Sequence, residues 1–318
     1  MNRIYTDIVK FICCILIFLH HFYLEKNIVI PLGYMSCSIF FFLSAWGISM
    51  SLDKRKLSLW QFIKRRVVKV YIPLLLVNFI FILAAIIATW NLTIVPVFSV
   101  FCDGVSINRT DSPLCSMAYL FDILQIDSIT WFVHVLLLVY LFVWTIHKIN
   151  SKRMYAIVVV ASFIAVELML LFIQSSIWYR VDIVGVLLGL LIYKFEGMSR
   201  VIPFLNILTV GSVLLLVGAL TLFFMHTEVH SWILLTGFLY SAAIVFLVWM
   251  LGRKVFLNKQ THDRHLCVGG GSYFVYLLHV KIASLITIMT GDKNLLLSLT
   301  ATLIISWLLM KLNERVGL

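Results

Sequence analysis

The sequence predicts an all-α, polytopic membrane protein with about ten transmembrane helices and both termini in the cytoplasm. Three observations carry that prediction. The composition is 62% hydrophobic and only 12% charged over 318 residues, with a mean hydropathy of +1.06. The charged share is half the ~25% usual for soluble domains, too little to cover a water-exposed globule. The apolar residues fall into runs near the ~20 residues needed to cross a bilayer. The basic residues fall between those runs. A cytosolic enzyme, a secreted disulfide scaffold and a disordered chain are excluded, and one integral-membrane domain over residues 1–318 is expected.

The apolar runs are Ile4–Leu24, Ile30–Ser51, Val67–Trp90, Ile129–Ile146, Tyr155–Ile173, Val181–Tyr193, Ile202–Met225, Trp232–Leu251, Val268–Thr290 and Leu295–Leu312. The sixth is the shortest. With the N-terminus inside, 18 of the 25 Lys and Arg residues lie on the cytoplasmic side and four (Lys26, Arg109, Arg180, Lys293) outside. The positive-inside rule therefore sets the orientation. The net charge of +11 has the same origin. It lies in short loops rather than on one soluble face, so no nucleic-acid partner is expected; the expected partner is membrane lipid. The first run has a basic start but no small-x-small cleavage site, and reads as a span ending in an interfacial anchor at His20-His21-Phe22-Tyr23.

Two stretches outside the spans have useful length. The outer loop from Asn91 to Ser128 suits an acceptor-binding lid or a plain connector. The inner loop Leu52–Arg66 is amphipathic and is expected along the inner leaflet. Cys102 and Cys115 share the outer loop and could pair in an oxidising compartment. No residue set has metal-ligand spacing, so no metal is expected.

The informative residues are polar groups inside apolar runs, which cost ~2.5–3.5 kcal/mol on insertion scales. Asp7, Lys10, His20, His21, Lys69, His134, Glu167, Asp182, His279 and Lys281 are of this kind. Lys10 and His21 are eleven residues apart, so they differ by about 20° around a helix and by ~16 Å along it. They share a face without touching. A cation in the inner half could hold an anionic group from the cytoplasm, and an imidazole near the outer end could act as a base. The alternative is a snorkelling lysine and an interfacial histidine. Glu167 could pair with a base.

Five stretches, in order, resemble the integral-membrane acyltransferase family 3. Asp7-Ile-Val-Lys10 followed by His20-His21 is similar to its opening, with a basic residue and a histidine separated by ten residues. Phe40-Phe41-Phe42-Leu43-Ser44-Ala45 resembles its Phe-Phe-x-Leu-Ser-Gly segment. Phe62-Ile-Lys64-Arg65-Arg66-Val-Val-Lys69-Val-Tyr71-Ile-Pro73 resembles its R-x-x-R segment. Trp131-Phe132 and Ser272-Tyr273-Phe-Val-Tyr276-Leu-Leu-His279 resemble its Trp-Phe and Ser-Tyr-x-x-Tyr-Leu-x-His motifs. Three positions depart. Lys10 stands for the family's arginine and loses the planar fork. Lys69 stands for the second arginine of R-x-x-R. Ala45 stands for a glycine, with Gly47 two residues on, so close helix approach there is expected to shift.

The resemblance implies acyl transfer from cytoplasmic acyl-CoA, usually acetyl-CoA, to a hydroxyl of a surface carbohydrate, by a multi-pass protein of the inner (plasma) membrane that works beside glycan-synthesis proteins. It implies a catalytic His21 steadied by Lys10, with His20 as the neighbouring alternative. Arg65, Arg66 and Lys69 would meet the phosphates of coenzyme A. Ser44, Trp131, Tyr276 and His279 would line the cavity, His279 alternatively being a hydrogen-bonded structural histidine. A transporter or flippase for a carbohydrate or anionic substrate is the competing class, against which stands the lack of an internal repeat.

Overall fold

Backbone polar groups have no water to bond in hydrocarbon, so spanning segments close their hydrogen bonds internally as helices. Every secondary-structure element among the described residues of the computed structural model is helical; those residues are 3–24, 31–55, 57–89, 130–172, 177–195, 205–225, 230–258 and 268–316. In chain order they form α1 (Arg3–Leu24), α2 (Leu32–Lys54), α3 (Leu59–Arg66), a π-helical turn (Val67–Tyr71), α4 (Ile72–Thr89), α5 (Trp131–Ile146), α6 (Lys152–Phe172), α7 (Ile177–Asp182), α8 (Val184–Phe195), α9 (Leu205–Met225), α10 (His230–Asn258), α11 (Val268–Thr290) and α12 (Leu295–Val316). The outer loop with Cys102 and Cys115 lies outside the described residues.

Among the described residues, eight helices are long and apolar enough to cross a membrane. They match eight of the ten apolar runs. The other two are shorter. α5 has 16 residues, about 24 Å at 1.5 Å per residue. The sixth run breaks at Ile183, leaving α8 with 12 residues. At about 18 Å it falls short of a ~30 Å hydrocarbon core. The amphipathic stretch Leu59–Arg66 is not a separate surface helix. It opens a continuous span, Leu59–Ala84. Trp60 points outward at 73% exposure while Phe62 turns in and is buried.

The exterior is apolar and the interior holds the polar groups. On α6, Ile157, Val160, Ile164, Leu168 and Leu171 are exposed on one face, and Tyr155 and Val159 are buried on the other. In water such a face would be an association site; in lipid it is at rest. The buried set includes Ser38, Asn78, Asp182, Ser241, Ser272, Lys281, Ser284, Ser298 and Thr302. Hydroxyls on these helices close onto their own backbone, as Ser284 does on the Val280 carbonyl and Thr302 on Ser298.

The chain forms two compact units, each discontinuous in sequence. The first comprises residues 1–13, 34–59 and 136–265. Its core joins Cys13, Ile39, Phe42, Leu43 and Trp46 to Val245, Val248 and Trp249. α8 lies backbone-close on α2. A Cβ at Gly185 would collide with the Ser38 carbonyl, and one at Gly189 would stand 2.8 Å from the Phe42 oxygen and 3.0 Å from the Ala45 Cβ. The close approach expected to shift to Gly47 is therefore made at Ala45, with the glycine supplied by α8; nothing lies within 4 Å of a Cβ at Gly47. Glu167 does pair with a base, Arg180, at 3.1 Å. At one end of this unit the His147 Nε2 meets the Asp53 carboxylate at 3.1 Å, and the Tyr193 hydroxyl donates to the same carboxylate. Partial burial draws the His147 imidazole below its ordinary value; Asp53 opposes the shift and Lys194 adds to it.

The second unit comprises residues 14–33, 60–135 and 266–318. Its frame is the α11–α12 pair, with α4 packed on α11. The turn between α11 and α12 uses Gly291 at φ 72°, a left-handed conformation that costs glycine little. The Cys14 thiol donates to the Ser272 carbonyl at 2.9 Å and ties α1 to the start of α11.

Candidate active site

Histidine chemistry in the second unit is built on α1 and α11. Residues 18–22 of α1 turn two aromatic rings and one imidazole inward: Phe18, His20 and Phe22 are all buried. The expected interfacial anchor at His20–Tyr23 is thus largely a packed interior surface. His20 is held tightly, since a Cβ at Gly33 would stand 2.7 Å from its Cγ. Its ring fills the space that the glycine leaves. His21 is less enclosed, and its ring centroid lies 5.4 Å from that of His20.

Across from it stands His279, 1% exposed. Its ring centroid is 5.2 Å from that of His21, the planes inclined by 37°. Phe18 meets the His279 ring edge-on at 6.4 Å, and Tyr276 lies at 5.9 Å. Phe132 closes behind Tyr276 at 5.5 Å, with Trp131 beside it at 6.1 Å. Nδ1 of His279 donates to the Tyr276 carbonyl at 2.5 Å. A carbonyl oxygen only accepts, so Nδ1 carries the proton of this bond.

His21 stands three residues before the end of α1, yet its partner is the twelfth of 23 residues in α11. The imidazoles meet halfway along that helix. Of the expected lining residues, His20 and His279 stand against His21, Tyr276 stands against His279, and Trp131 joins the same chain of rings through Phe132. Lys10 and Ser44, both half-buried, belong to the first unit.

The basic segment forms a second feature of the same unit. Arg65 and Lys69 are exposed, and Arg66 lies partly buried with its guanidinium 5.4 Å from the Phe62 ring centroid. The segment runs into the π-helical turn, a distortion that is frequent at functional sites. Tyr273 of α11 donates its hydroxyl to the Val70 carbonyl in that turn at 2.8 Å. Six residues separate Tyr273 from His279, about 9 Å along α11. One helix therefore anchors both the cationic turn and the imidazoles.

Lys281 carries a meaning that hydropathy hid. It is the fourteenth residue of α11 and 3% exposed, with its ammonium 5.9 Å from the Phe81 ring centroid on α4, so it does not snorkel from a helix end. Asn78, one turn before Phe81, is fully buried and was not singled out by sequence. Its neutral amide lowers hydropathy too little to register. Among the described residues, no group of three or more His, Cys, Asp or Glu side chains could hold a metal ion.

Fold and site together define a polytopic α-helical membrane protein with a histidine cluster in its interior. A family model described as an acyltransferase domain matches residues 3–311, and the chain belongs to that family, acyltransferase family 3. Comparisons with curated proteins and with solved structures gave no match.

Proposed function

We propose that this membrane acyltransferase moves an acyl group, acetyl in the first instance, from cytoplasmic acyl-CoA to a hydroxyl of an exported or cell-surface polysaccharide, with His21 as general base. The plasma membrane is the site of action, and the acceptor comes from glycan-synthesis proteins. The observation that carries the reading is the setting of His21: a half-buried imidazole, backed by a second imidazole halfway along α11, in a chain of this family.

The chemistry is balanced without a further reagent. His21 takes the proton of the acceptor hydroxyl as its oxygen attacks the thioester carbonyl. The C–S bond breaks, and the departing thiolate recovers the proton. Imidazole suits both halves because its ordinary pKa of ~6.5 allows gain and loss of a proton near neutrality. Arg65, Arg66 and Lys69 supply cations for the coenzyme phosphates. Trp131 and Tyr276 serve as walls of the substrate path.

The test is transfer of radiolabelled acetyl from acetyl-CoA to glycan in membranes carrying the protein. Wild type should label the glycan, and His21→Ala should not, at equal insertion and expression. Substrate uptake without acyl transfer would replace this reading with a transporter.

A further inference from the structure

We propose that Asp182, Ser38 and Ser241 hold one sodium ion in the interior of the first unit, at the break between α7 and α8, and that the ion joins α2, α7 and α10. The site is separate from the histidine cluster and does not depend on the function proposed above.

Three observations point to a cation. The first is an uncompensated acid. Asp182 is fully buried, its Oδ2 has no hydrogen-bond partner, and no ion pair to it is seen among the described residues. A carboxylate taken out of water is normally paired with a positive charge or set on a metal ion. Arg180, two residues earlier, is already engaged by Glu167.

The second is the spacing of the oxygens. Ser38 Oγ lies 2.9 Å from Ser241 Oγ and 3.4 Å from Asp182 Oδ1. A hydroxyl has one hydrogen, and the shorter contact takes it. The longer contact exceeds the ~2.5–3.0 Å of an O–H···O bond. Two ligand oxygens at right angles, each ~2.4 Å from a cation, stand ~3.4 Å apart. Cys37, beside Ser38 on α2, also bonds the carboxyl, through a weak thiol donor.

The third is the break itself. α7 ends at Asp182 and α8 begins at Val184. Interrupted helices are where membrane proteins hold small cations. Ser38 is fixed against the break, since a Cβ at Gly185 would collide with its carbonyl. Tyr240, next to Ser241 on α10, is buried with its hydroxyl unbonded and within electrostatic reach of Asp182. It offers a further oxygen at this junction.

Charge and size select the ion. One carboxylate among neutral hydroxyls balances a single positive charge. Ca²⁺ sites draw on several carboxylates and Mg²⁺ keeps several waters. Bonds of ~2.4 Å suit sodium, whereas the larger potassium ion would need the oxygens farther apart.

The purified full chain tests this with sodium alone as the probe. In NaCl its melting temperature should rise saturably by several degrees above that in choline chloride of equal ionic strength, with KCl giving a smaller gain. Radioactive sodium should bind saturably, at about one ion per chain. Asp182→Asn keeps the shape but removes the charge, and should abolish both effects. Ser241→Ala should weaken sodium binding on the order of tenfold.

Equal melting temperatures in the three salts would overturn the proposal without any variant, and would mark Asp182 as a buried neutral acid. Sodium binding retained in Asp182→Asn, or unchanged in Ser241→Ala, would overturn it as well. Should Asp182→Asn fail to fold, the wild-type comparison and Ser241→Ala still decide.

Discussion

The Tyr273 hydroxyl donates to the Val70 carbonyl at 2.8 Å, and through this bond the cationic turn of the third span is tied to the helix that carries His279. The phenol thereby gives the Val70 carbonyl a hydrogen bond from outside its own helix. Tyr273→Phe should cost about 1 kcal/mol of stability. It should also raise KM for the acyl donor more than KM for the acceptor. Steady-state kinetics with both substrates varied checks this; a change in acceptor KM alone would count against it.

Arg66→Ala should raise the donor KM about tenfold, the equivalent of one lost charge-assisted hydrogen bond of ~1.5 kcal/mol. Arg66→Lys should recover only part of it, because an ammonium lacks the planar fork. The same series assayed with acetyl-pantetheine, which lacks the nucleotide phosphates, should show almost no difference.

The two kinds of glycine in the first unit predict opposite signs. Gly185→Ala drives a Cβ into the Ser38 carbonyl and should destabilise by ~1–3 kcal/mol. Gly47→Ala meets nothing and should be neutral, or stabilising by up to ~1 kcal/mol through helix propensity. Thermal unfolding of the two variants in one detergent decides it.

His147 predicts a pH dependence. Its value is lowered in the folded protein, so the unfolded chain binds the proton first as pH falls. Its contribution is complete above an unfolded value of ~6.5 and is lost as pH falls through the lower folded value. Wild type should lose more thermal stability between pH 7.5 and 5.5 than His147→Gln, which donates to Asp53 but does not titrate. An equal loss in both would assign the acid sensitivity elsewhere.

Much of the fold was legible in the sequence because lipid imposes one rule on every span. Val268–Thr290 agrees at both ends, and seven other apolar runs became helices of spanning length. The break at Ile183 was not legible: Asp182 was only one polar residue in an apolar run, and no Pro or Gly marks the interruption at residue 183. The site was legible in part. The residue types were visible as polar groups in spans, but hydropathy holds no information on which span faces which. It could not place His279 beside His21, sink Lys281 beneath Phe81, or credit the close approach at Ala45 to Gly189.

The π-helical turn at Val67–Tyr71 accommodates one residue more than a regular α-helix would over the same path. Removing any single residue there would let the backbone anneal into an ordinary coil of 3.6 residues per turn. Everything upstream would then keep its bearing about the axis, whereas a deletion in a stretch that is already α-helical would swing it by about 100°. Phe62 would stay in the interior and Trp60 would keep pointing outward. A homologue with an ordinary coil here would have to be compared across a one-residue gap; without that gap, lipid-facing and core-facing positions would be interchanged along the whole helix.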